Sequence, residues 1–271
     1  MATDSRLFIF SDGSKNAKQA EKVAEVRALI KQVDGFKSVE IIERSSNLGL
    51  ANSVISGVTQ LMDEYGKAIV FEDDLITSPY TLCYFNDALD RYEKEEQVMH
   101  IGAYMYPLPI AESEQLPETF FFRAATSWGW ATWNDRWAKF RREVFTENSA
   151  IRAREFFRIG GLAGLARWSG VVQALKRGDL DSWAYPWMFT HFFEHWVTVV
   201  PKMNLIENLG FGELASHTKT GASNIISSQE YLFENLSPTS LTKRAERQIL
   251  LNSYGVFPYM NRVKNRLIGS E

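Results

Sequence analysis

The sequence predicts an α/β fold, a mostly parallel sheet flanked by helices with a helical C-terminal half, and three observations carry that expectation. In the first half, short apolar runs alternate with stretches of helical periodicity, the pattern left by strands joined through crossover helices. Two acidic signals, Asp12 and Glu72-Asp73-Asp74, stand where apolar runs end. All eight tryptophans lie between Trp128 and Trp196, so the two halves differ chemically.

Residues 7–10 form an apolar run that stops at Ser11-Asp12-Gly13, and they read as the first strand. Residues 16–33 place Ala20, Val23, Ala24, Val26, Leu29, Ile30 and Val33 near helical spacing. Residues 39–42 read as a second strand, 50–65 as a second helix, and 68–71 as a third strand running into the acidic triplet. Thr77 or Ser78 can cap a helix that opens at Pro79 and runs to about residue 95. Strands are expected at 98–103 and 120–123, with a proline-containing loop over 105–118 between them. Helices are expected at 130–140, 150–158, 162–177 and 184–195, then a strand at 197–200. Residues 208–224, with Gly210, Gly212 and Gly221 among polar residues, predict a mobile loop. From Leu241 one or two helices follow, carrying Lys243, Arg244, Arg247, Arg262, Lys264 and Arg266. The organisation expected is one domain over 1–224 and a helical tail over 225–271 packed on it.

Composition narrows the function. With 45% hydrophobic and 23% charged residues, the 271-residue chain has the balance of a folded globular protein. A formal charge of −3 gives no global positive field for a nucleic-acid backbone, so no nucleic-acid partner is expected. Cys83 is the sole cysteine, which rules out an internal disulfide and a multi-cysteine zinc site. No apolar run is long enough to span a bilayer and the start lacks a signal pattern, so a cytoplasmic location is expected. The basic tail, with Arg262, Lys264 and Arg266 beside Phe257, Tyr259 and Met260, suggests a peripheral contact with an anionic inner-membrane surface, a solvated charged face being the alternative.

Ligands of a parallel sheet bind outside the carboxyl ends of its strands, where Asp12 and Glu72-Asp73-Asp74 stand. Three adjacent carboxylates repel one another and invite a cation. Hard oxygen ligands suit Mn²⁺ or Mg²⁺, which take one or two carboxylates together with substrate phosphate oxygens. A solvated acidic turn before a helix is the alternative. The segment Arg44-Ser-Ser-Asn47-Leu-Gly49-Leu-Ala51-Asn52 opens a helix after a strand, where free N–H groups attract phosphate and Arg44 can add a charge-assisted contact. A plain strand-to-helix turn that needs Gly49 for its backbone angle explains the segment equally well. No dinucleotide fingerprint or P-loop occurs.

RSSNLGLANSVISGV followed by AIVFEDDLITSPYTLCYFNDAL resembles the GT-A glycosyltransferases of the family 2 type, in the bacterial branch labelled hemolysin-related. The order FSDG, FEDDL, FFRAATSWGWATW, DSW and GFGELASHT is also similar to that of N-acetylglucosaminyltransferases that begin complex N-glycan branching. The resemblance implies a metal-dependent, inverting transfer from a nucleoside diphosphate sugar, a UDP-sugar for preference, to a saccharide or lipid-linked acceptor. It implies that Asp12 contacts the base or ribose, Glu72 and Asp73 the sugar and ribose, and Asp74 the metal, with Asn47 and Gly49 lining the nucleotide-sugar cleft. Asp181, in the D-S-W triplet, matches the general base; a helix cap before Ser182 is its alternative, and Asp179 could serve either role. Trp128, Gly129, Trp130 and Trp133 match positions that close the donor and acceptor cleft, and Trp128 and Trp130 are the sugar-facing candidates, with core packing as their alternative. Trp133 and Trp137, at i and i+4, also suit a packed helix face. His191 and His195 share a helical face without a third metal ligand, whereas His217 lies in a stretch resembling a donor-ordered lid and could meet the diphosphate or metal, a surface histidine being its alternative. GT-A enzymes usually begin with one more strand and helix, so this chain resembles the family from its second strand onward. Truncation, or a nucleotide site built differently, is therefore expected. The rival readings are a non-catalytic GT-A-like nucleotide- or saccharide-binding protein and a metal-dependent phosphate-ester hydrolase.

Overall fold

The computed structural model describes residues 2–105 and 117–210, the side chain of Phe145 excepted. Strand β1 (Arg6–Ser11) leads through α1 (Ala17–Ile30) to β2 (Ser38–Glu43), and the two strands pair in parallel from Arg6↔Ser38 to Ser11↔Glu43. The side chain of Asn16 caps α1 by accepting from the Gln19 N–H. No residue of β1, α1 or β2 is fully buried, and a cavity of about 450 Å³ remains between α1 and the turns at Gly13 and Arg44. This unit therefore has little core of its own.

It is held by α2 (Leu50–Tyr65). Tyr65 packs on Phe8 with ring centroids 5.3 Å apart, and a Cβ on Gly57 would lie 3.3 Å from the Phe10 ring. Val58 and Met62 of the same helix enter the core of the second sheet, which begins with β3 (Lys67–Val70). The elements that follow are β4 (Leu75–Thr77), α3 (Thr81–Arg91), β5 (Val98–Gly102), β6 (Thr119–Phe122), β7 (Trp130–Trp133) and the short α4 (Asn134–Trp137). The long helix α5 (Ser149–Arg177) breaks at Gly160-Gly161, so the two helices expected at 150–158 and 162–177 meet at that break. Then come α6 (Ala184–Glu194), β8 (Val197–Pro201) and β9 (Ile206–Asn208).

The protein is α/β, but its main sheet is mixed rather than mostly parallel. The strand order is β3-β7-β5-β8-β6; only β5 and β8 run parallel, and the other three pairings are antiparallel. The difference has one main source, residues 130–133, expected as helix and found as strand β7 between β3 and β5, in register from Lys67↔Trp133 to Val70↔Trp130. All four of its residues are buried, so the segment shows no alternation that would have marked it as a strand. Trp133 and Trp137 consequently do not share a helix face: one ends β7 and the other ends α4. Strands β4 and β9 pair antiparallel as a separate ribbon from Leu75↔Asn208 to Thr77↔Ile206.

The tryptophan-rich half builds a packed layer. Trp130 stacks on Trp183 at 4.9 Å and on His100 at 5.4 Å, with Trp137 and Trp187 closing around it. The Trp187 indole N–H donates to His100 Nδ1 at 3.0 Å, and His191 Nδ1 lies 3.0 Å from the Trp187 carbonyl. Burial drives both imidazoles toward the neutral form: His191 is lowered to about 4, and His100, also facing His191, falls well below its ordinary value. No helix among the described residues is long and apolar enough to cross a membrane. The tail over 225–271 and all but the first three residues of the predicted 208–224 loop lie outside the described residues.

Candidate functional site

Three segments far apart in sequence come together around the first turn of α2. The helix opens at Gly49, which has φ of 80° and no side chain to cap the free N–H groups behind it. Carboxylates from elsewhere satisfy them. Asp12, one residue past β1, accepts the Leu48 N–H on both oxygens at 3.0 Å, the Gly49 N–H at 3.2 Å and the Gly13 N–H at 3.0 Å. Asp181, in the connection from α5 to α6, accepts the Ala51 N–H at 3.3 Å through Oδ1. The positive end of the helix dipole favours both anions. Asn47 ties the same turn to the β1 end by donating to the Gly13 carbonyl at 2.8 Å.

Asp181 is therefore not the cap of the helix that follows it, the alternative its position suggested. The first helical residues of α6 are served instead by Ser182, whose hydroxyl lies 3.5 Å from the Tyr185 N–H. Asp179 forms a surface pair with Arg177 at 2.7 Å, so of the two aspartates Asp181 is the one at α2.

The acidic triplet follows β3. Asp73 is exposed, whereas Glu72 and Asp74 are partly buried. Burial, reinforced by the charges of Asp74 and Asp73, pushes the Glu72 carboxyl up to about 7, and the Trp183 indole beside it works against that shift. Asp74 is also raised, by burial and then by Asp73, while the Asn208 side chain favours its ionised form. The β4–β9 ribbon explains that neighbourhood, because pairing Leu75 with Asn208 carries the end of β9 back to the triplet. The Leu209 N–H donates to the Asp74 carbonyl at 2.8 Å, and a Cβ on Gly210 would fall 2.0 Å from Asp74 Oδ2. A side chain at position 210 would displace the Asp74 carboxylate.

Asp74 Oδ1 is buried and has no hydrogen-bond partner among the described residues. An orphaned anionic oxygen on a carboxyl already disfavoured by burial is what a hard divalent cation would relieve, so Asp74 fits the role expected of it. Among the described residues no three His, Cys, Asp or Glu side chains converge as a ready-made cage. A cation here would need further oxygens from water or a ligand.

The remaining expected residues divide. Arg44 lies over the Phe10 ring at 5.6 Å and donates to the Ser53 carbonyl at 3.3 Å, so its guanidinium is directed into the β1–α2 contact; Nη1 is buried without a hydrogen-bond partner among the described residues. Trp128 is half-buried against Tyr104, with ring centroids 4.4 Å apart. Trp130 is a correction: it is completely buried in the tryptophan layer and presents no face to a sugar. Gly129 sits with φ of 60° where a Cβ would strike Ile206 at 2.4 Å, which is a packing requirement. His217 lies outside the described residues. Sequence reasoning missed Asn208 and Gly210 as neighbours of Asp74, and the local signal was a glycine two residues after the three-residue strand Ile206–Asn208. No protein-family model matches this chain, and no curated protein matches it at a significant level.

Proposed function

We propose that this protein is a GT-A-type glycosyltransferase that moves a sugar, with inversion, from a nucleoside diphosphate sugar to a saccharide or lipid-linked acceptor. The observation that supports the reading best is convergence. Asp12 and Asp181, separated by most of the described chain, both bind the first turn of α2. The acidic triplet adjoins them through Glu72, which lies beside Trp183, two residues after Asp181. Motifs that resemble one family in order thus also lie on neighbouring segments, which supports the reading.

In this reading Asp181 accepts the proton of the acceptor hydroxyl. One of its oxygens is held by Ala51, leaving Oδ2 for that proton. Glu72 and Asp73 hold hydroxyls of the donor sugar and ribose. Asp12, whose two oxygens already take backbone donors, shapes the turn that borders the nucleotide. Asp74 would hold Mn²⁺ or Mg²⁺, and such an ion supplies positive charge to the diphosphate as it leaves. The basic residues from Lys243 to Arg266 would bring the enzyme to an anionic membrane surface where a lipid-linked acceptor resides.

Calorimetric titration with UDP, with and without Mn²⁺, tests the donor half of the proposal. The parent should bind UDP more tightly with Mn²⁺, and Asp74→Ala should lose that increment while its far-UV circular dichroism stays unchanged. Equal Mn²⁺-dependent affinity in both proteins would overturn the assignment. Binding without UDP release from any donor sugar would favour a nucleotide-binding protein that turns nothing over. Release of inorganic phosphate would favour a hydrolase.

A further inference from the structure

We propose that the N-terminal turn of α2 positions Asp181, and that residue 49 is glycine because a side chain there would push that carboxylate aside. The inference rests on the reading of Asp181 as the proton acceptor and adds a residue to it. A helix usually caps its second or third N–H with the side chain of its own N-cap residue. Gly49 has none, and the Ala51 N–H is taken instead by Asp181, 130 residues further along the chain, at 3.3 Å. A Cβ built on Gly49 would lie 2.8 Å from Asp181 Oδ2, too close for any real contact. The conflict involves the far end of a flexible and exposed side chain, so the carboxylate would yield before the backbone did. The turn is itself braced by Asp12 through the Leu48 and Gly49 N–H groups, so it is a fixed reference against which Asp181 is set. Gly49 is accordingly a positioning residue. It touches no reacting atom and acts through the carboxylate that does.

Gly49→Ala changes two things, the room beside Asp181 and the comfort of a backbone at φ of 80°. Gly66→Ala separates them. Gly66 ends the same helix at φ of 76°, but a Cβ there would meet nothing within 4 Å. The experiment measures UDP release from UDP-glucose and UDP-N-acetylglucosamine in Mn²⁺, with water as acceptor, for the parent, Gly49→Ala, Gly66→Ala, Asp181→Asn and the Gly49→Ala/Asp181→Asn double variant.

Gly49→Ala should lower kcat by about ten-fold or more, on the scale of misplacing a catalytic group, with a smaller change in donor KM because the turn borders the nucleotide. Gly66→Ala should keep parental kcat and KM while losing some thermal stability, less than Gly49→Ala because the left-handed backbone of Gly66 (ψ −19°) admits alanine more readily than that of Gly49 (ψ 163°). The double variant should be no slower than Asp181→Asn alone, because both changes remove the same function. Parental kcat in Gly49→Ala would overturn the inference while leaving the glycosyltransferase reading intact, provided Asp181→Asn is slow. Losses that multiply in the double variant would overturn it too, since Gly49 would then act by another route. Parental turnover in Asp181→Asn would instead sink the assignment of the proton acceptor, and absence of UDP release from the parent would sink the reading and the inference together. Carboxyl-carbon NMR provides a readout that needs no turnover: the Asp181 resonance should move in Gly49→Ala and stay in place in Gly66→Ala.

Discussion

Taking the protein from about pH 7.5 to about pH 5 should weaken the fold through the histidines in its tryptophan layer, and His191→Gln should remove the His191 share. Unfolded, a histidine binds a proton below 6.5; in the folded protein His191 remains neutral down to about 4. The unfolded state therefore binds more protons in that window, so this contribution is complete above 6.5 and declines as the pH falls through it. Each pH unit of such a gap corresponds to about 1.4 kcal/mol, and integration to about pH 5 gives roughly 2 kcal/mol lost for His191 alone. His100, buried in the same layer and also lowered by burial, acts in the same direction. Glu72 acts in the opposite one: its folded carboxyl is raised from 4.5 to about 7, so the folded state takes up its proton first and gains stability as the pH falls. The parent's pH profile is a sum of opposed slopes, and only the difference between parent and variant isolates the imidazole. Urea midpoints at the two pH values, with m held equal, measure that difference. The drop between them should be smaller by roughly 2 kcal/mol in His191→Gln. An identical drop in the two proteins would refute the reasoning.

Two further outcomes follow from the α2 junction. Asp12→Ala strands the Gly13, Leu48 and Gly49 N–H groups, and should cost about 1–3 kcal/mol in the urea midpoint, with Asp12→Asn recovering part of it. Hydrogen exchange should be fastest in β1, α1 and β2, which bury no residue fully, and slowest in β5 and β8 at the centre of the mixed sheet. Equal protection across the two sheets would show that the first unit has support beyond α2.

Local signals made the first half legible. The apolar spacing over 16–33 and 50–65 corresponds to α1 and α2, and the strand ends before Asp12 and Glu72 lie where the apolar runs stop. What failed was information stored at long range. Residues 130–133 became a strand because Lys67–Val70 pairs with them, and four consecutive buried positions give no period to read. Strands β4 and β9 are three residues each and exist only through one another, across more than a hundred residues. At the site the same division holds. The residue types were visible, but the partner of Asp181 is a backbone N–H 130 positions away, and a local reading could only offer the helix next door. Trp130 was misplaced for the converse reason, since a tryptophan that stacks under a site and one that lines it look alike in sequence.

The arrangement links stability to chemistry at one place. The β1–α1–β2 unit buries too little to stand alone, and a two-stranded parallel sheet is not independently stable in water. Its attachment runs through α2, by aromatic contacts with Tyr65 at one end and by the carboxylate of Asp12 at the other. The N–H groups that secure the unit are neighbours of the one that holds Asp181. A change that loosens Asp12 should therefore disturb Asp181 as well, although the two side chains are tied through backbone donors of one turn rather than to each other. Conversely, a ligand that adds negative charge at this turn competes with both carboxylates for the same helix dipole. A nucleoside diphosphate bound without its cation would meet that repulsion, whereas a cation held at Asp74 would offset it. On the proposed glycosyltransferase reading, donor and metal would therefore bind together rather than separately.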